Sequence, residues 1–134
     1  MRFVRTDDFA AMSRRRIATL LWIAGAAASL QCTDFGDQVV GPNDITAQSI
    51  QTLTNLKAAL AGAGATLDDV VRTVTYVTDI DAYYAVCEER YKYFIGNLPT
   101  NTLLGITRLA HPDMLVEIEA EAVVDPARLR NLKA

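Results

Sequence analysis

The sequence predicts an α+β domain, a sheet covered by helices on one face. Three observations carry that prediction. An amphipathic helical pattern follows Gly41-Pro42, a run dense in Val and Thr spans 69–78, and a strictly alternating run begins at Met114. With 134 residues the chain is long enough for one domain with a real core.

Each element has its own reason. Gly41-Pro42 breaks the chain, Asn43 or Asp44 can cap, and Ile50, Leu53, Leu56 and Leu60 recur at spacings of three and four. That helix should stop at Gly62 or Gly64, where glycine tolerates the left-handed conformation. The Val/Thr/Tyr composition of 69–78 suits a strand, with Val70, Arg72, Val74 and Tyr76 expected on one face. A second helix is expected over about 82–95, with Tyr83, Val86, Arg90 and Tyr93 in one stripe, before a loop at Gly96, Asn97 and Pro99. "TLLGITRL" and "MLVEIEAEAVV" read as two strands joined by the turn "AHPD". In the last of these Met114, Val116, Ile118, Ala120 and Ala122 should meet the helices, while Leu115, Glu117, Glu119 and Glu121 face the other way. From residue 43 onward this gives only three strands, thin cover for two helices, so further strands must come from residues 1–40.

Composition narrows the function. A net charge of −3 lacks the basic face of a nucleic-acid binder, and Arg14, Arg15 and Arg16 form a weak phosphate footprint. One histidine, His111, and two cysteines, Cys32 and Cys87, supply neither a multi-histidine metal site nor a disulfide framework. "LAGAGATL" lacks the lysine of a phosphate loop. Chemistry must come from carboxylates, hydroxyls, backbone groups and water, with no cofactor.

The stretch "SRRRIATLLWIAGAAASLQC" at 13–32 has two readings. Its arginines, apolar run and small-residue end imitate an export leader. The acidic Asp7 and Asp8 dilute the basic start, and "LLWIAGA" equally suits a buried strand. As a membrane span the run falls short of the about 20 residues required.

The combination "DITAQSIQTLTNLKAALAGAGATLDDVVRTVTYVTDI", "PTNT" and "MLVEIEA", in that order, resembles the Rid family, also called YjgF, RidA-like or endoribonuclease L-PSP proteins. "RRIATLLWIAGA" aligns with two strands of the same family, so the resemblance runs from about Arg15 to Val124. It implies a chorismate-mutase-like fold, a six-stranded mixed sheet with two helices packed on one face. It also implies a homotrimer with ligand clefts between subunits. The domain is then 1–124, with 125–134 as a C-terminal tail, and 13–32 becomes two strands, about 14–18 and 20–26. Deleting them would leave an unpaired sheet edge. A cytoplasmic protein without a membrane segment is therefore expected.

Members of this family typically hydrolyse enamines and imines. The resemblance assigns Glu117 to the glutamate that positions water or relays a proton. Crowded carboxylates raise each other's pKa, which would help a proton donor. It also shows departures. Asn101 stands where the family carries an arginine that grips the substrate carboxylate, Ala24 where it carries a serine, and Cys87 where it carries an asparagine. Ala24, Gly25, Cys87 and Thr102 are thus expected to line the pocket. Arg108 and Arg16 are the candidates for a relocated anion clamp, with Arg72 a weaker one. Cys87 reads first as a buried helix residue, and His111 as an exposed turn residue. The expected function is a cofactor-free deaminase-like hydrolase acting on an enamine, imine or small carbonyl metabolite, with Glu117 as acid/base and Asn101 orienting substrate. The alternative is a metabolite-binding or enzyme-partner protein without turnover. Ribonuclease activity is disfavoured by the acidic charge.

Overall fold

The structure, a computed structural model, describes residues 19–27, 39–125 and 128, the first of these stretches as backbone. The strand expected at 14–18, Arg16, Cys32 and most of the tail lie outside the described residues.

Eight elements follow in order: β1 (Thr19–Ala27), α1 (Ile45–Gly62), a 3-10 turn (Leu67–Asp69), β2 (Val70–Val77), α2 (Ile80–Tyr84), α3 (Glu88–Tyr93), β3 (Thr100–Gly105) and β4 (Val116–Val124). The strands form one mixed sheet in the order β1-β4-β2-β3. β4 runs antiparallel to both β1 and β2, and β2 pairs parallel with β3. A parallel neighbour cannot be reached by a hairpin, which is why α2 and α3 intervene between β2 and β3. The fold is α+β as expected, with four strands among the described residues where six were expected.

Asp44 begins α1 by accepting from the Ala47 N–H at 3.0 Å. Gly64, at φ +75°, lets the chain reverse so that the Ala65 N–H reaches the Leu60 carbonyl at 2.8 Å. Leu53, Leu56 and Leu60 are fully buried, joined by Gln48, Ser49 and Thr52, while Ile50 is exposed at the edge of the stripe. The core unites these leucines with Val70, Val77, Val116, Ile118, Ala120, Ala122 and Val124 under α1.

β4 alternates as its sequence does, with 116, 118, 120, 122 and 124 buried beneath the helices. β2 departs from simple alternation. An extra residue between Val70 and Arg72 forms a bulge, so Val70 pairs with Ala122 and turns into the core, away from Arg72, Val74 and Tyr76.

The expected second helix is two short ones. Asp79 caps α2 through the Ala82 N–H at 2.9 Å. Val86, Glu89 and Arg90 then donate three residues back, to Tyr83, Val86 and Cys87, which tightens the chain into a 3-10-like joint before α3. The stripe survives the break: Tyr83 is buried and Val86, Arg90 and Tyr93 are half-buried. β3 begins two residues earlier than expected and ends at Gly105, where a Cβ would lie 2.9 Å from Ile80 Cδ1. No described helix is long and apolar enough to cross a membrane.

Candidate functional site

The sheet has two faces with different chemistry. On the face away from the helices, β4 presents Glu117, Glu119 and Glu121 opposite Tyr76, Val74 and Arg72 of β2. Arg72 Nη1 donates to Glu121 Oε1 at 2.7 Å, and the Tyr76 hydroxyl donates to Glu119 Oε2 at 3.2 Å. Glu117 has no hydrogen-bond partner among the described residues, although it is half-buried. Burial first, and the Glu119 charge second, push its pKa above the ordinary carboxylate value. Crowding, the cause expected from the sequence, contributes but comes second to burial. The Tyr76 phenol is likewise raised, by desolvation and then by Glu119.

β1 closes one side of this row. Ala27 pairs with Glu117 and Trp22 with Glu121, and between Ile23 and Ala26 the register shifts by one residue. Ala24 and Gly25 therefore form a bulge opposite Glu119, placing the backbone of both expected pocket residues beside the carboxylates.

The helix-covered face holds a different cluster. β3 is in register with β2 so that Asn101 pairs with Thr73, whose partner across β4 is the buried Ala120. Asn101 Oδ1 accepts from the hydroxyls of both Thr73 and Thr75, each at 2.9 Å. Arg90 Nη2 donates to Thr73 Oγ1 at 3.2 Å and to the Pro99 carbonyl at 3.1 Å. Its guanidinium carbon sits 5.4 Å from the centroid of the Phe94 ring. Tyr83 is buried beside Thr75, and desolvation raises its pKa while the Thr75 hydrogen bond and the Arg90 charge oppose the rise. Cys87, half-buried and free, opens α3 beneath this cluster.

Within one chain the residues expected at the site fall on two faces of the sheet. Asn101 and Glu117 occupy opposite faces. Thr102 lies on the open face, in register with Val74. Arg108 is exposed, three residues past the end of β3. Arg72, the weaker candidate, is occupied by Glu121. His111 accepts the Asp113 N–H at Nδ1 (3.1 Å) in an exposed turn. Among the described residues no three His, Cys, Asp or Glu side chains gather as a metal site. Arg90 is the residue that sequence reasoning missed. Its signal was a cation inside an inward-facing stripe of Tyr83, Val86 and Tyr93.

A family model described as endoribonuclease L-PSP matches residues 10–124. A RutC family protein of Saccharolobus solfataricus is 33% identical over 103 residues, 77% of this chain and 78% of the relative. The 2-iminobutanoate/2-iminopropanoate deaminase of Escherichia coli is 33% identical over 85 residues, which span 61% of this chain and 66% of that enzyme. Among solved structures, a YjgF-family protein from Mycobacterium tuberculosis is 37% identical, covers 87% of this chain and 92% of its own, and superposes with a TM-score of 0.67.

Proposed function

Because the chain belongs to the endoribonuclease L-PSP family, also called Rid or YjgF, we propose that it is a cofactor-free hydrolase of small imines and enamines. The observation that carries this reading is Glu117, a half-buried carboxyl with no partner among the described residues and a raised pKa. Its neighbours Glu119 and Glu121 are held by Tyr76 and Arg72. Such a group keeps a proton closer to neutral pH than an ordinary glutamate and can deliver it. Water adds to the C=N carbon to give a carbinolamine, Glu117 protonates its nitrogen, and as the C–N bond breaks and ammonia leaves, the hydroxyl proton passes back to Glu117 and the C=O bond forms. The deaminase from Escherichia coli, a relative by sequence, carries this class of substrate in its name.

The opposition of Asn101 and Glu117 supports a site shared between chains. A ligand touching both residues needs Glu117 from one subunit and Asn101 from its neighbour, the arrangement of a homotrimer with intersubunit clefts. Ala24, Gly25, Thr102 and Cys87 line parts of that cleft in this reading. The acidic open face disfavours RNA, whose phosphates it would repel. A cytoplasmic location suits an enzyme meeting imines released by other enzymes.

Semicarbazide competition tests the reading. Imines generated in situ from several amino acids should be hydrolysed by the wild type and escape into semicarbazone in Glu117→Gln. Equal turnover in the variant removes Glu117 from the chemistry. Saturable binding without turnover by the wild type replaces the hydrolase with a metabolite-binding protein.

A further inference from the structure

Six Lys or Arg side chains are described, and most are either paired or fully exposed. Arg72, Lys92 and Arg128 each meet a carboxylate, and Lys57 and Arg108 are exposed. Arg90 alone among the described residues is both half-buried and without a carboxylate. A cation held this way is ordered without being neutralised.

Its surroundings fix it. The guanidinium rests on the buried Phe94 ring, and Nη2 spends its two N–H groups on Thr73 Oγ1 and the carbonyl of the buried Pro99. Both acceptors are neutral. Three of the five guanidinium N–H donors, on Nε and Nη1, meet no acceptor among the described residues. One hydrogen bond further on, Asn101 uses its Oδ1 for Thr73 and Thr75. The two N–H donors of Asn101 Nδ2 meet no acceptor among the described residues. A positive charge, five open N–H groups and no competing carboxylate make a receptor for a small anion.

We propose that Arg90 is the ligand-carboxylate anchor of this site, binding beside Asn101 and doing the work of the arginine that the 99–102 loop lacks. The Pro99 contact places the cation against that loop. Thr73 couples it to Asn101, so the two residues act as one donor set. The proposal rests on the imine-hydrolase reading for the identity of its ligand, a small 2-oxo or 2-imino carboxylate, and not for the existence of the anion site.

The test titrates 2-oxobutanoate, and separately uncharged 2-butanone, into the full-length protein while amide shifts are followed by NMR. Wild type should bind 2-oxobutanoate saturably. Arg90→Gln should weaken it by about tenfold or more, the scale of a lost charged hydrogen bond. Arg90→Lys should retain part of the affinity, which guards against a fold defect in the glutamine variant. Lys57→Gln removes the same charge elsewhere and should change affinity by less than about twofold, as expected for a screened surface charge. 2-Butanone should not distinguish the variants. Equal oxo-acid affinity in wild type and Arg90→Gln overturns the proposal, as does an absence of saturable binding by wild type or an equal loss in Lys57→Gln. Arg90-dependent binding in a protein that hydrolyses no imine sinks the hydrolase and leaves the anchor standing. Imine turnover undiminished in Arg90→Gln does the reverse.

Discussion

Asn101 and Glu117 lie on opposite faces of one sheet, two strands apart. Asn101 is in register with Thr73 beneath the helices, and Glu117 pairs with Tyr76 on the open side. A strand fixes the side of every residue by parity, so no rotamer change in one chain brings these groups to a common ligand.

Complementation between chains follows. Glu117→Gln and Asn101→Ala chains, each inactive alone, should regain activity when denatured together and refolded. In an equal mixture about a quarter of head-to-tail interfaces unite an intact Glu117 with an intact Asn101. Recovery of that fraction of wild-type turnover is expected, and none should appear when separately folded proteins are briefly mixed.

Glu117 should be a destabilising residue in the folded protein. Its pKa is raised, so the folded state holds a proton that the unfolded chain has already released. The stability tied to this group is greatest below the unfolded value of about 4.3 and declines as pH rises through the folded value. Glu117→Gln should therefore melt above wild type at pH 7, with the difference closing near pH 4. The same variant should lose about a hundredfold or more in turnover. Thermal melts across pH beside the semicarbazide assay check both halves.

Gln48 joins α1 to the turn that starts β4. It is fully buried, donates from Nε2 to the carbonyls of Gly41 (3.2 Å) and Asp113 (2.7 Å), and accepts the Leu115 N–H at 2.8 Å. Gln48→Leu fills similar space but strands all three backbone groups. A loss of about 2–4 kcal/mol in urea denaturation is expected. Since Leu115 leads directly into Val116 and Glu117, the Michaelis constant should rise as well.

Much of this was readable from residue order, and the exceptions share a cause. The alternation of 114–124 placed the carboxylate row correctly because strand parity is local. Val70 was misplaced because a bulge adds one residue to β2, and nothing in "DDVVRT" marks which valine is extra. The helix over 82–95 carries neither Gly nor Pro at the joint, so its division at 85–87 was invisible to breaker signals. At the site, the glutamates of "VEIEAE" look alike in sequence. What sets Glu117 apart is that Tyr76 reaches Glu119 and Arg72 reaches Glu121, contacts from another strand. Arg90 escaped for the same reason, since its meaning lies in Pro99 and Thr73.

Asp69 should give the protein an acid-sensitive contact. Arg128 grips it with two bonds, Nη1 to Oδ1 at 2.7 Å and Nη2 to Oδ2 at 2.8 Å, and the Thr66 N–H adds a third at 2.7 Å. Led by the Arg128 hydrogen bonds, these donors hold its pKa below the ordinary value against the opposing effect of burial. Its contribution is present above the unfolded value of about 3.9 and lost as pH falls through the folded one. Asp69→Asn should cost about 1 kcal/mol at pH 7, the size of a lost cap, and the gap from wild type should shrink in melts below pH 4.

Thr52 offers the opposite kind of substitution. Its side chain is fully buried in α1, and its hydroxyl has no hydrogen-bond partner. A hydroxyl taken out of water without a partner costs free energy that a methyl group of the same shape does not. Valine matches threonine in shape and removes that penalty, at a small loss of helix propensity. Thr52→Val should therefore stabilise the protein by about 1 kcal/mol, read as a higher urea midpoint with an unchanged slope. An equal or lower midpoint would mean that the hydroxyl is bonded in solution after all.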